Sequence, residues 1–121
     1  MPAIIKYVQF WLFLLYCTYL SLTPTPNQAL IENFSDKTLH AAGYLLLIIS
    51  CNIAHRPNRQ LLFKIILLFS YSAAIEVAQH FIPHRGFSFG DLVANLSGLL
   101  IGAGLLALLS RAARRKVRPQ T

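Results

Sequence analysis

An all-α fold, a bundle of four transmembrane helices with the N and C termini both cytoplasmic, is what this sequence predicts, and three observations predict it. Hydrophobic residues fill 55% of the 121 positions and charged residues only 12%, with a mean hydropathy of +0.53. A soluble core of this size cannot hide that much apolar surface. The apolar residues gather into four stretches, each near the length of about 20 residues that a helix needs to cross hydrocarbon. The links between them are short and rich in helix breakers, which makes successive helices antiparallel neighbours.

The first span runs from Tyr7 to Leu22. Lys6 ahead of an apolar run would also suit a signal peptide, but Thr23-Pro24-Thr25-Pro26-Asn27 offers no A-x-A-like cleavage pattern, so the helix is expected to be retained. The loop from Thr23 to Ser35 has room for a short interfacial helix around Ala29–Phe34. The second span covers Thr38 to Ala54 and ends before Arg56-Pro57-Asn58. The third covers Leu61 to His80, with Pro83, Gly86 and Gly90 in the link that follows, and the fourth covers Asp91 to Ser110. Little chain remains for anything else, so residues 1–121 are expected to form a single integral membrane domain.

Orientation follows from lysine and arginine, which are retained on the cytoplasmic side of a membrane. Four spans put Lys6, Arg56, Arg59, Lys64, Arg111, Arg114, Arg115, Lys116 and Arg118 on one side and only Lys37 and Arg85 on the other. Nine against two assigns the first side, and both termini, to the cytoplasm. The net charge of +7 is therefore a topology signal that also touches anionic headgroups; without a domain that reads bases, no nucleic-acid partner is expected. Cys17 and Cys51 each sit inside an apolar span, lack metal-ligand spacing, and are expected to pack as small hydrophobes.

Polar residues are gathered at the outer ends of the spans. The second helix enters with Asp36, Lys37 and His40, the third leaves with Glu76, Gln79 and His80, and the fourth re-enters with Asp91 and Asn95. Residues three, four or seven apart share a helix face. Asp36, His40 and Gly43 then align on one helix, Ser72, Glu76, Gln79 and His80 on the next, and Asp91, Asn95, Gly98 and Gly102 on the last. Charged groups within a span face the bundle interior and find partners there, so three polar stripes are expected to meet.

Each feature also has a plainer reading. Ser88-Phe89-Gly90-Asp91 fits a capping box, Asp36 after Ser35 can cap in the same way, and Asp91 suits the positive end of a helix dipole. Gly98 and Gly102 form G-x-x-x-G, most simply a close helix contact and also a route to oligomers. Glu76 has no capping role; it must be protonated, paired or wet, and a structural ion network and a functional site both satisfy that requirement. His40, His80, His84, Asp36, Glu76 and Asp91 supply metal-ligand chemistry, yet no H-E-x-x-H or H-x-H spacing selects it, so no metal and no cofactor is expected. Ser72 and Ser88 lack a nucleophile-elbow motif.

The order D-K-x-x-H-x-x-x-Y at Asp36 to Tyr44, E-x-x-Q at Glu76 to Gln79, and R-x-x-S-x-x-D-x-x-x-N-x-x-G-x-x-x-G from Arg85 to Gly102 resembles the VanZ-like membrane proteins. The motifs span roughly the last two-thirds of the chain. His84 is a departure, since members often carry glycine before the arginine. The resemblance implies a multi-pass protein of the cell envelope, in a family named for a member associated with resistance to the glycopeptide teicoplanin. It supplies no mechanism and does not make this chain a resistance determinant.

The expected function is an envelope protein of the cell membrane whose polar pocket, on the extracytoplasmic side, binds or modulates an anionic lipid or lipid-linked cell-wall precursor. Lys37 and Arg85 are the expected phosphate contacts, with Asp36, His40, Glu76, Gln79, Asp91 and Asn95 completing the ligand-binding set. The alternatives are an enzyme on the same substrate class, with Glu76 or His40 as general base, and a purely structural subunit.

Overall fold

The computed structural model of the protein describes residues 2–22, 36–55, 59–82 and 89–117. Four helices account for nearly all of them: α1 (Ala3–Leu22), α2 (Asp36–Ala54), α3 (Leu61–His80) and α4 (Phe89–Val117). No strand occurs among the described residues. Each helix is long and apolar enough to cross a membrane. The expected interfacial helix around Ala29–Phe34 lies outside the described residues.

Two helices outrun the apolar spans. Hydropathy marks only the part of a helix that sits in hydrocarbon, whereas the backbone keeps its ladder wherever the residues favour it. α1 starts at Ala3, with the Pro2 carbonyl accepting from the amides of Ile5 and Lys6 at 3.1 and 3.3 Å. α4 continues past Ser110 to Val117 through alanine and arginine, both good helix formers. Its 29 residues make a rod of about 43 Å against roughly 30 Å of hydrocarbon. The basic cluster is thus the last two turns of a helix, where Arg114, Arg115 and Lys116 face the negative end of its dipole.

Contacts between the helices fix their directions. Gln9, early in α1, bonds Ser50, late in α2; the Ser50 hydroxyl donates to Gln9 Oε1 at 2.7 Å and Gln9 Nε2 donates to the Ser50 carbonyl at 3.0 Å. Lys64, at the start of α3, donates to Asn52 Oδ1 near the end of α2 at 2.9 Å. Gln79, in the last turn of α3, donates to the Ser21 carbonyl at the end of α1 at 2.7 Å. Lys37 and Asp91, at the starts of α2 and α4, form an ion pair. Only an up-down-up-down bundle allows all four.

α2 is the central helix, and its most extensive contact is with α4. Tyr44, Leu47, Ile48, Cys51 and Ala54 of α2 form the core with Phe10, Leu68 and Leu99. Gly98 and Gly102 make the α2–α4 approach possible: a Cβ at Gly98 would run into the Ala41 carbonyl, and one at Gly102 would meet the Ile48 side chain. The expected close contact is therefore made within the chain, between α2 and α4. Gly43, which spacing aligns with Asp36 and His40, has open space around it; Ala41, Leu45 and Ile48 are the α2 residues that meet the glycines.

The outward surface has the character that lipid requires. Trp11, Leu15 and Tyr19 on α1, Leu62, Phe63 and Ile66 on α3, and Leu100, Leu108 and Leu109 on α4 are all exposed. Apolar patches of that extent would drive a soluble protein to associate, while lipid tails solvate them.

Candidate functional site

The polar residues converge at the end of the bundle where α2 and α4 begin and α1 and α3 finish. α3 builds its share from one stripe, since Lys64, Leu68, Ser72, Glu76 and Gln79 recur every three or four residues and all are buried. α4 builds its share from Asp91, Asn95 and Leu99, spaced by four and likewise buried. The ends of these stripes at Glu76, Asp91 and Asn95 close on the first two turns of α2.

At the rim, Lys37 Nζ pairs with Asp91 Oδ1; the lysine side chain is 52% exposed and the aspartate only 10%. One turn deeper, His40 Nδ1 lies 2.9 Å from Asn95 Oδ1, and the other ring nitrogen, Nε2, lies 3.6 Å from Asp91 Oδ2. An amide oxygen only accepts, so the Nδ1 proton is donated to Asn95 and Nε2 is directed at the carboxylate. Glu76 closes the group from α3 with no solvent exposure. His40, Glu76 and Asp91 each present one ligand atom within 4.8 Å of the others.

Five of the eight expected ligand-binding residues, Lys37, His40, Glu76, Asp91 and Asn95, are thus brought together. Gln79 is buried, and its amide holds the end of α1 by satisfying one of the carbonyls that a helix C-terminus leaves open. Arg85 and the Asp36 side chain lie outside the described residues, as do His84 and the Ser88 half of the expected capping box. Two members of the expected α3 stripe behave otherwise. His80, the last residue of α3, is exposed, with its ring edge-on to Phe81 at 5.3 Å. The Ser72 hydroxyl donates to the Phe69 carbonyl of its own helix at 2.7 Å.

Sequence reasoning missed a second polar set at the opposite end. Lys64 appeared there as a flanking topology charge, but it is 4% exposed and bound to Asn52. Gln9 and Ser50 sit beside it in the α1–α2 seam. The available signal was position: Asn52 and Lys64 flank one helical hairpin, so antiparallel packing brings them level. A further link, Thr18 to the Tyr71 hydroxyl with Tyr44 and Tyr71 rings 6.3 Å apart, ties α1 to the centre.

No curated protein and no solved structure matches the chain. The family model described as VanZ/LLP1 matches residues 7–110, from the first span through the end of the apolar part of α4. That match reaches into all four helices and includes every residue of the polar cluster, and the chain belongs to the VanZ/LLP1 family.

Proposed function

We propose that this VanZ-family membrane protein binds or modulates an anionic lipid, or a lipid-linked precursor of the cell wall, at the polar end of its bundle. The observation that carries the reading is Glu76, fully buried between apolar spans yet grouped with His40 and Asp91. Ionisable groups at such depth are costly and mark ligand paths in membrane proteins. Lys37 at the rim is exposed enough to exchange Asp91 for a phosphate oxygen, and Arg85 in the adjoining link brings a planar fork suited to the same group. His40, Asp91 and Asn95 hold the inner wall, and the apolar helix faces accompany the lipid chains. By the lysine and arginine bias this end faces away from the cytoplasm.

One observation favours a second reading, an enzyme acting on the same lipids. His40, its Nδ1 held by Asn95 and its Nε2 turned toward the Asp91 and Glu76 carboxylates, is the candidate general base.

Native mass spectrometry of protein extracted in a mild detergent tests both. Retained lipid should appear on the wild type and fall in Arg85→Lys, which keeps the charge and loses the fork, while the variant stays folded. Glu76→Gln should alter retention or its pH dependence. Equal lipid retention in the wild type and both variants would refute the binding reading. Conversion of an added lipid-linked precursor to a new mass, lost in His40→Gln, would establish the enzyme.

A further inference from the structure

We propose that His40, Glu76 and Asp91 form a binding site for a divalent first-row cation of the zinc or manganese class. The inference goes beyond lipid recognition and does not depend on it.

Donor chemistry comes first. One imidazole nitrogen and two carboxylate oxygens, drawn from three different helices, lie within 4.8 Å of one another. Metal bonds of about 2.1 Å hold neighbouring ligand atoms roughly 3–4 Å apart, so side-chain adjustment on a fixed backbone is enough to close the set. A nitrogen and oxygen donor set without thiolate suits zinc and manganese and disfavours the soft, thiophilic ions. Two carboxylates also match the charge of a divalent ion. The cation would bring two acidic groups in an apolar bundle to neutrality together.

The orientation of His40 is the independent observation. Its Nδ1 proton is held by Asn95 Oδ1 at 2.9 Å, and Asn95 is itself 1% exposed. A metal-binding histidine characteristically donates its second ring N–H to a carbonyl or carboxylate, which fixes the tautomer and aims the other nitrogen at the metal. Here Nε2 is the nitrogen so aimed, toward Asp91. Three protein ligands leave further coordination positions open for water or for an oxygen of a phosphate. Lys37, which pairs with Asp91, is the built-in competitor, and its half-exposed chain can swing to water when a cation enters. Short-range spacing could not disclose this set, because no two of its ligands come from the same helix.

Protein in a mild detergent, stripped with a chelator and re-equilibrated with Zn²⁺ or Mn²⁺, should bind one ion per chain by elemental analysis. His40→Gln and Glu76→Gln should abolish that stoichiometric binding. Asn95→Leu, which touches only the orientation of His40, should weaken it by about 10–100-fold. Lys37→Met should tighten binding, since it removes the ammonium that competes for Asp91. Mn²⁺ on wild-type protein labelled with ¹⁵N-histidine should show nitrogen coupling in its magnetic resonance spectrum, a readout that needs no variant. Substoichiometric binding to the wild type, unchanged affinity in Lys37→Met, or a manganese spectrum without histidine coupling would each overturn the proposal. Failure of these tests would leave lipid retention, measured on metal-free protein, as a separate question.

Discussion

Replacing Gly98 with alanine adds one methyl group at the tightest point of the bundle, and its consequence follows from what that methyl meets. The nearest atoms are the carbonyl oxygen, carbonyl carbon and Cα of Ala41, all backbone of α2, with the last two at 2.9 and 3.1 Å from the new carbon. Backbone cannot rotate aside, so α2 and α4 must separate, and overpacking of this kind costs about 1–3 kcal/mol or more. Gly102→Ala meets the Cγ2 methyl of Ile48 first, a fully buried β-branched side chain with little freedom to turn, with the Leu45 carbonyl at 3.1 Å, so its penalty falls within the same range but below that of Gly98→Ala, where every near atom is backbone. Gly104→Ala meets nothing within 4 Å and removes a poor helix former, for a gain of up to about 1 kcal/mol. The predicted stability order is therefore Gly104→Ala, wild type, Gly102→Ala, Gly98→Ala. Unfolding titrations in mixed micelles, followed by circular dichroism, measure it. A Gly98→Ala variant as stable as Gly104→Ala would refute the α2–α4 contact and, with it, the register that brings His40 to Asn95.

Two further outcomes are expected. In a background with Cys17 and Cys51 replaced, cysteine introduced at Asn27 or Gly86 should react with an impermeant reagent on intact cells and cysteine at Asn58 should not; the reverse pattern would place the polar cluster on the cytoplasmic side. Asn52→Leu takes a hydrogen-bond partner from the buried Lys64 ammonium and should destabilise by about 1–3 kcal/mol, whereas Asn52→Leu combined with Lys64→Met should recover most of that loss. Additive destabilisation in that double-mutant cycle would mean that the two side chains do not act on each other.

The helices were legible because a bilayer imposes one simple requirement, some 20 apolar residues, and the chain meets it four times. Within each helix, periodicity then identified Glu76, Asp91 and Asn95 as inward-facing, since three- and four-residue steps are a local property. What periodicity cannot supply is rotation relative to a neighbour. Gly43 shares a face with His40 by its spacing, yet α2 is turned so that Ala41 and Leu45 meet α4 instead. His80 belongs to the Glu76 stripe by its spacing, yet it is the last residue of α3 and stands exposed beside Phe81. Lys64 shows the opposite error. A lysine near a span boundary reads as a solvated topology charge, and only the antiparallel return of α3 beside α2 turns it into the buried partner of Asn52.

The α2–α4 register also explains why the polar cluster sits where it does. Lys37 meets Asp91, His40 meets Asn95, Ala41 meets Gly98, and Leu45 and Ile48 meet Gly102, so the two helices advance in step along one seam. Asparagine and aspartate are short side chains, and they reach a histidine on a parallel helix only where the two backbones lie close together. The glycines supply that closeness one turn below the cluster, beginning at Gly98, three residues after Asn95. Glu76, whose side chain is a methylene longer, reaches the same point from α3, which crosses without a glycine against either partner among the described residues. Packing and site are therefore one arrangement. A substitution that separates α2 from α4 should lengthen the His40–Asn95 bond before it disturbs Glu76, and loss of ligand or metal affinity should precede loss of the fold as larger residues are placed at Gly102.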